Sequence, residues 1–201
     1  MPRTNESREK ILATARQVFA EKGFASATVD EIADAAGVAK GTVYYSFASK
    51  SALYAGVISD GVAWLKAETA KHAEEGGPFL VRTTEIVRTL TDLFLDYTEF
   101  VAVFFSEAPH GLDAADKDRI AWERHGLLEF YRKLIAEGID RGFLRPIDPG
   151  LAASGLLSML YALCRDHGNG DRTRVRRDIL AFVRTLLSRG IILTEGHSDE
   201  A

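Results

Sequence analysis

The chain has almost no cysteine. Cys164 stands alone among 201 residues, so neither an internal disulfide nor a CxxC metal site can form, and a reducing compartment is expected. Proline is scarce, at 5 residues, and the 17 glycines follow no period, which excludes collagen-like and low-complexity chains. No apolar run is long enough to cross a bilayer. The N-terminal MPRTNESREK is polar with no apolar segment behind it, so no signal peptide, no membrane partner and a cytoplasmic location are expected. Catalytic signatures are missing too: there is no GxSxG, P-loop, GxGxxG or HExxH. His72, His110, His125, His167 and His197 are scattered, and Cys164 near His167 makes a two-ligand fragment at best. No enzyme, metal site or cofactor is expected.

What is present is the composition of a globular protein able to bury a full core, 46% hydrophobic and 27% charged. The length fits one ordinary domain, or a small module joined to a larger one. The net charge of −4 argues against a simple nucleic-acid coat protein, but it is unevenly spread. Residues 1–50 hold 7 basic against 6 acidic groups, and residues 51–201 hold 18 against 23. A slightly basic head on an acidic body is compatible with DNA contact by one face of the head.

Apolar residues recur at helical spacing almost throughout, and no stretch alternates like a half-buried strand, so an all-α fold is predicted. Ile11, Ala15 and Phe19 mark a first helix that stops at Gly23. Thr28-Val29-Asp30-Glu31 reads as a capping box opening a second helix through Ile32, Ala33 and Ala36, ended by Gly37. A short third helix near Lys40–Phe47 turns Val43 and Phe47 inward. Ser49 caps a fourth, which Gly76-Gly77-Pro78 ends. Longer helices follow, from Phe79 to about Glu107 with a bend allowed midway, and from Asp113 to Gly142. Asp148 is placed as N-cap with Pro149 as first helical residue of the next. That helix, Leu151 to Cys164, is apolar nearly all round and, at about 21 Å, too short to span a membrane. The last helix puts Val175, Ile179, Phe182, Val183, Leu186 and Leu187 on one stripe. These two helices carry more apolar surface than a small bundle needs, which points to a homodimer interface at Leu151, Gly155, Ser158, Ala162, Ile179, Phe182, Val183 and Leu186.

Thr28 to Phe47 carries the functional signal. Two short helices joined at Gly37 have the outline of a helix-turn-helix, with Ile32, Ala36, Val38 and Val43 fixing the angle between them. Lys40 offers charge to phosphate, Gly41 lets backbone approach DNA, and Thr42 can reach a base edge or a thymine methyl. Tyr44 and Tyr45 combine flat apolar contact with a hydroxyl donor. Lys50, in the first turn of the fourth helix, adds its charge to the positive end of that helix as an anion site. Arg8 and Thr28 complete the expected backbone contacts, although Thr28 also has a full structural role as a cap.

In these positions the segment from about Arg8 to Leu53 resembles the DNA-binding head of TetR/AcrR-type bacterial transcriptional regulators. The likeness runs through Ile11, Ala15, Phe19 and Gly23-Phe24, the Thr28 to Val38 turn, and Gly41-Thr42-Val43-Tyr44, Phe47, Ser49-Lys50 and Leu53. The resemblance implies a DNA-binding domain at 1–48 and a ligand-binding and dimerisation domain at 49–201. It further implies a homodimer on a roughly palindromic double-stranded operator, and release by a small effector. Two positions depart from the family pattern: Ala39 replaces the usual Ser or Thr cap, and Ser51-Ala52 replace residues that are often acidic.

For the effector, Trp64, Phe94, Tyr97, Phe100, Phe104, Phe105, Trp122 and Tyr131 are candidates to line an apolar pocket, each weighed against simple core packing. Asp96, Glu99, Glu123, Arg124 and His125 could orient a ligand, or simply face solvent. The aromatic richness favours a hydrophobic or amphipathic molecule. The stretch through Gly138, Gly142-Phe143, Arg145-Pro146 and Asp148-Pro149 is similar to regulators that sense fatty-acyl or other lipid-like metabolites. The alternative reading is a helical-bundle interaction protein whose head does not bind DNA productively.

Overall fold

The computed structural model describes residues 3–105 and 109–192, and its nine elements among these are all α-helices. They are α1 (Arg3–Ser26), α2 (Val29–Ala36), α3 (Lys40–Ser46), α4 (Lys50–Glu74), α5 (Phe79–Asp96), α6 (Thr98–Ala102), α7 (Ala114–Asp140), α8 (Pro149–His167) and α9 (Arg172–Gly190). An isolated antiparallel bridge joins Leu144 to Ile192. No helix of the described residues is long and apolar enough to cross a membrane.

Sequence chemistry sets most of the boundaries. In α1 the helical geometry is interrupted at Gly23, whose φ of 73° a side chain would resist. The capping box forms as expected: Glu31 N–H donates to Thr28 Oγ1 at 3.2 Å, and Thr28 N–H to the Glu31 carboxylate at 3.1 Å. Gly37 ends α2 in the left-handed region at φ 63°. Ala39 gives α3 no side-chain cap. Ser49 Oγ accepts from Ala52 N–H, and Asp148 with Pro149 begins α8. The helix expected from Phe79 to about Glu107 instead breaks at Tyr97, which leaves helical geometry. There the Thr98 hydroxyl donates to the Phe94 carbonyl at 2.9 Å, an alternative to continuing the ladder. Glu107 itself lies outside the described residues, as does His197.

The chain forms two compact units, Met1–Trp64 with Glu99–Arg124, and Leu65–Thr98 with His125–Ala201. The first is built around Ile11, Ala15, Phe19, Ile32, Val43 and Leu53, all buried. Its aromatic cluster joins Phe19, Phe24, Tyr54 and Phe100, with Tyr54 and Phe100 stacked at 5.2 Å. At Gly56 a Cβ would lie 2.9 Å from the Phe47 ring and 3.4 Å from Leu12, so this glycine is what lets α4 close against the core. Gly56→Ala should therefore lower stability by about 1–3 kcal/mol in urea unfolding despite its better helix propensity. A gain in stability would contradict the close approach.

The second unit packs α5 on α8 and α9 around Leu90, Phe94, Leu157, Leu160, Cys164, Ile179 and Val183. Burial pushes the Cys164 thiol up to about 12, so it stays protonated and unreactive. Thr69 and Tyr131 share a buried hydroxyl pair at 2.9 Å, linking α4 to α7.

Candidate nucleic-acid interface and effector cavity

The capping box and Gly37 fix α2, and the turn delivers α3 with Val43 buried against α1 and α2 and the opposite side open. On that open side Tyr45 is 81% exposed, Tyr44 is also exposed, and Thr42 is half-buried at its edge. A Cβ at Gly41 would meet nothing, so its missing side chain serves no internal packing. Lys40 pairs with Asp30 at 2.7 Å. The hydrogen bond that it donates to the Asp30 carboxylate holds the Lys40 ammonium above its ordinary range. The pair is solvent-exposed, so a phosphate can exchange for Asp30 at little cost. Thr28, whose hydroxyl is engaged in the cap, stands exposed at the start of α2. The hydrogen bond from Lys22, then the capping backbone N–H, hold the Glu31 carboxyl below its usual range. Arg8 lies with its guanidinium 4.8 Å over the Phe47 ring, exposed at the end of the same unit.

Lys50 departs from expectation. Its ammonium donates to the carbonyls of Phe24 at 2.8 Å, Ala25 at 3.3 Å and Ala27 at 3.0 Å, and sits 4.6 Å over the Phe24 ring. All three N–H donors are occupied, so the residue expected as a phosphate anchor serves as a cationic pin on carbonyls at and just beyond the end of α1. Sequence spacing placed it correctly at the start of α4; only the fold brings the end of α1 against it.

The second unit encloses a cavity of about 840 Å³ between α4, α5, α7, α8 and α9. Its walls are apolar, with Ile86, Val87, Leu90, Leu134, Leu157 and Leu160 prominent. Of the eight aromatics expected to line an effector site, Tyr131 lines this cavity. The other seven are placed elsewhere: Phe100 is in the aromatic cluster of the first unit, Trp64 and Trp122 are exposed, Phe94 is buried, and Tyr97, Phe104 and Phe105 are half-buried. For Phe100, Phe104 and Phe105 the break at Tyr97 is the physical reason, because it sends Phe100 and the residues after it into the first unit. Three further aromatics line the cavity beside Tyr131, namely Phe79, Phe130 and Phe143, none of them among the expected eight. Phe79 directly follows the Gly76-Gly77-Pro78 breaker and stacks on Phe143 at 4.8 Å. Of the polar candidates, Asp96 is paired with Arg172, and Glu123, Arg124 and His125 are not part of the cavity lining.

Residues 11–57 match the family described as bacterial regulatory proteins, tetR family, and residues 81–187 match the tetracyclin repressor-like C-terminal domain. The chain belongs to the tetR family. It is a DNA-binding transcriptional regulator. Among its relatives is the HTH-type transcriptional regulator RutR of Escherichia coli, 30% identical over 155 residues that cover 77% of this chain and 70% of RutR. The fold is shared with the fatty acid degradation regulator FadR of Bacillus halodurans, at TM-score 0.72 and 22% identity over 88% of this chain and 97% of that one. It is also shared with FadR of Bacillus subtilis, solved in complex with stearoyl-CoA, at TM-score 0.69 and 19% identity with the same coverage.

In this tetR-family chain the expected dimer stripe is split by helical geometry. Leu151 (76% exposed), Gly155 and Ser158 lie on the outer face of α8 at i, i+4 and i+7, with Ala162 half-buried one turn on. On α9, Phe182 and Leu186 are 52% and 40% exposed. Ile179 and Val183, however, turn inward and are buried in the core of their own unit, Val183 at the cavity wall. They are core residues because a position three or four away on a helix falls on the same side only as far as 3.6 residues per turn allows, and α5 and α8 cover that side.

Proposed function

We propose that this regulator acts as a homodimeric repressor on an inverted-repeat operator and is released by a small hydrophobic or amphipathic effector. Residues 1–48 carry the DNA contacts and residues 49–201 the effector and dimer contacts. The observation that carries the reading is the open side of α3: on a short helix anchored by buried Val43, Tyr44 and Tyr45 stand out in water beside a glycine with nothing to pack against. In the major groove, Lys40, Gly41, Thr42, Tyr44 and Tyr45 meet bases and the nearest phosphates, while Arg8 and Thr28 hold the flanking backbone. Lys50 supports this surface from behind. The outer faces of α8 and α9, with Leu151, Phe182 and Leu186, supply the two-fold contact. Paired heads then need a separation of about 34–36 Å to reach successive grooves. The apolar cavity is the effector site, in keeping with the stearoyl-CoA held by the Bacillus subtilis FadR of similar fold. A ligand that fits better in the conformation with the wrong spacing lowers operator affinity by its differential affinity for the two states.

The test is selection of bound sequences from a random double-stranded DNA pool by the purified full-length protein, with and without cell extract. An enriched inverted repeat that the extract releases is expected. Failure to enrich any sequence, from protein shown to be folded, would favour the interaction-protein reading, and an enriched site that binds only with extract present would make the effector a corepressor.

A further inference from the structure

We propose that the cavity of the second unit selects a ligand with an apolar body and one compact anionic head, a carboxylate, and that Arg82 is the residue that reads the head. The inference rests on the reading of this cavity as the effector site. Almost every polar group on its lining already has a partner. The Tyr131 hydroxyl is paired with Thr69, and the Thr83 hydroxyl donates to the Phe79 carbonyl at 2.9 Å. At the rim, Glu137 pairs with Arg141 at 3.1 Å, Glu75 with His72 at 3.2 Å and Lys133 with Glu129 at 3.9 Å. Arg82 differs. Its Nε is buried and has no hydrogen-bond partner. One terminal nitrogen donates to the Ala73 carbonyl, and the guanidinium lies 5.6 and 5.8 Å from the centres of the stacked Phe79 and Phe143 rings.

A guanidinium is charged at every relevant pH, and a buried N–H left without an acceptor is a standing cost that an incoming acceptor removes. Its planar fork matches two oxygens in one plane, which a carboxylate provides and a hydroxyl does not. The surroundings favour a single negative charge. Arg82 sits in the first turn of α5, whose N-cap, Pro78, offers no side-chain acceptor, so the positive end of that helix adds to the field. A polyphosphate head would need more cations, yet Lys133 and Arg141 are matched by acids and Glu74 is a further carboxylate at the rim. The same guanidinium holds Ala73, in the last turn of α4. A carboxylate taken at Nε leaves the bond from the terminal nitrogen to Ala73 in place, so the head is held beside the last turn of α4.

Calorimetric titration of the full-length protein with decanoate, decan-1-ol and decanoyl-CoA, each below its micelle concentration, tests this. The variants are Arg82→Gln, Arg82→Lys and Leu157→Trp, the last filling the cavity from α8 with Arg82 itself unaltered. Wild-type protein is expected to bind decanoate at least tenfold more tightly than decanol. Arg82→Gln should abolish that preference while leaving decanol binding unchanged, Arg82→Lys should keep part of it, and Leu157→Trp should weaken both probes. If the Gln variant does not fold, the Lys variant decides by whether the preference shrinks. Equal binding of acid and alcohol by wild type, or a preference that survives in both Arg82 variants, overturns the role of Arg82 with the effector cavity intact. Tighter binding of decanoyl-CoA than of decanoate overturns the compact head. If no probe binds and Leu157→Trp leaves operator release by extract unchanged, the effector reading of the cavity falls with it.

Discussion

Phe182→Asp combined with Leu186→Asp is expected to yield a folded monomer whose operator affinity is reduced by about 100-fold or more. Both side chains are half-exposed in the single chain, so placing carboxylates there costs the fold little. In a two-fold contact the same patch meets itself, and four carboxylates would crowd one apolar interface without partners. Each monomer would then hold one half-site instead of two, which removes the gain of linked binding, a factor of about 10² to 10⁴. The dependence of affinity on salt should also fall to about half, since only one head neutralises phosphates. Sedimentation for mass and titration of the selected operator at two salt concentrations check both parts. A double variant that remains dimeric would place the two-fold contact elsewhere; a wild-type monomer with full operator affinity would remove the dimer from the proposal. Ile179→Asp or Val183→Asp, by contrast, should unfold the second unit, because both are core positions.

Lys50→Ala should lower stability by about 3 kcal/mol, moving Tm down by about 6–12 °C, without changing the salt slope of DNA binding. The reasoning follows from where its protons go. The Phe24 and Ala25 carbonyls at the end of α1 and the Ala27 carbonyl just beyond it share one ammonium, and its removal leaves them without the cation that offsets the negative end of that helix. Lys40→Ala makes the contrast. Its partner Asp30 is exposed and its own removal costs the fold almost nothing, but it should flatten the plot of log affinity against log salt by about one unit per head. Circular dichroism melts together with operator titrations of both variants separate the two roles. An unchanged Tm for Lys50→Ala with a reduced salt slope would restore Lys50 as a phosphate contact.

The local signals in the sequence settled a great deal. A capping box, a left-handed glycine, an Asp-Pro helix start and apolar residues every three to four positions act through neighbouring backbone, so Thr28-Glu31, Gly37, Asp148-Pro149 and the helical class were legible from spacing alone. The register of residues 8–53 likewise carried the family, because the turn between α2 and α3 is built from side chains close in sequence. Whatever depends on which distant segments meet was decided only by tertiary structure. Lys50 and the end of α1 are more than twenty residues apart, and nothing in either stretch shows that they touch. The cavity assembles from five helices, so the aromatic density around Phe94 to Phe105 was a poor guide to it, while Phe143 came against Phe79 and Arg82, an i, i+3 pair of α5, only through packing. The division of α9 between inward Ile179 and Val183 and outward Phe182 and Leu186 has the same origin. Periodicity tells that a helix has an apolar stripe, whereas only the helices packed against it decide which edge of the stripe is core and which stays exposed.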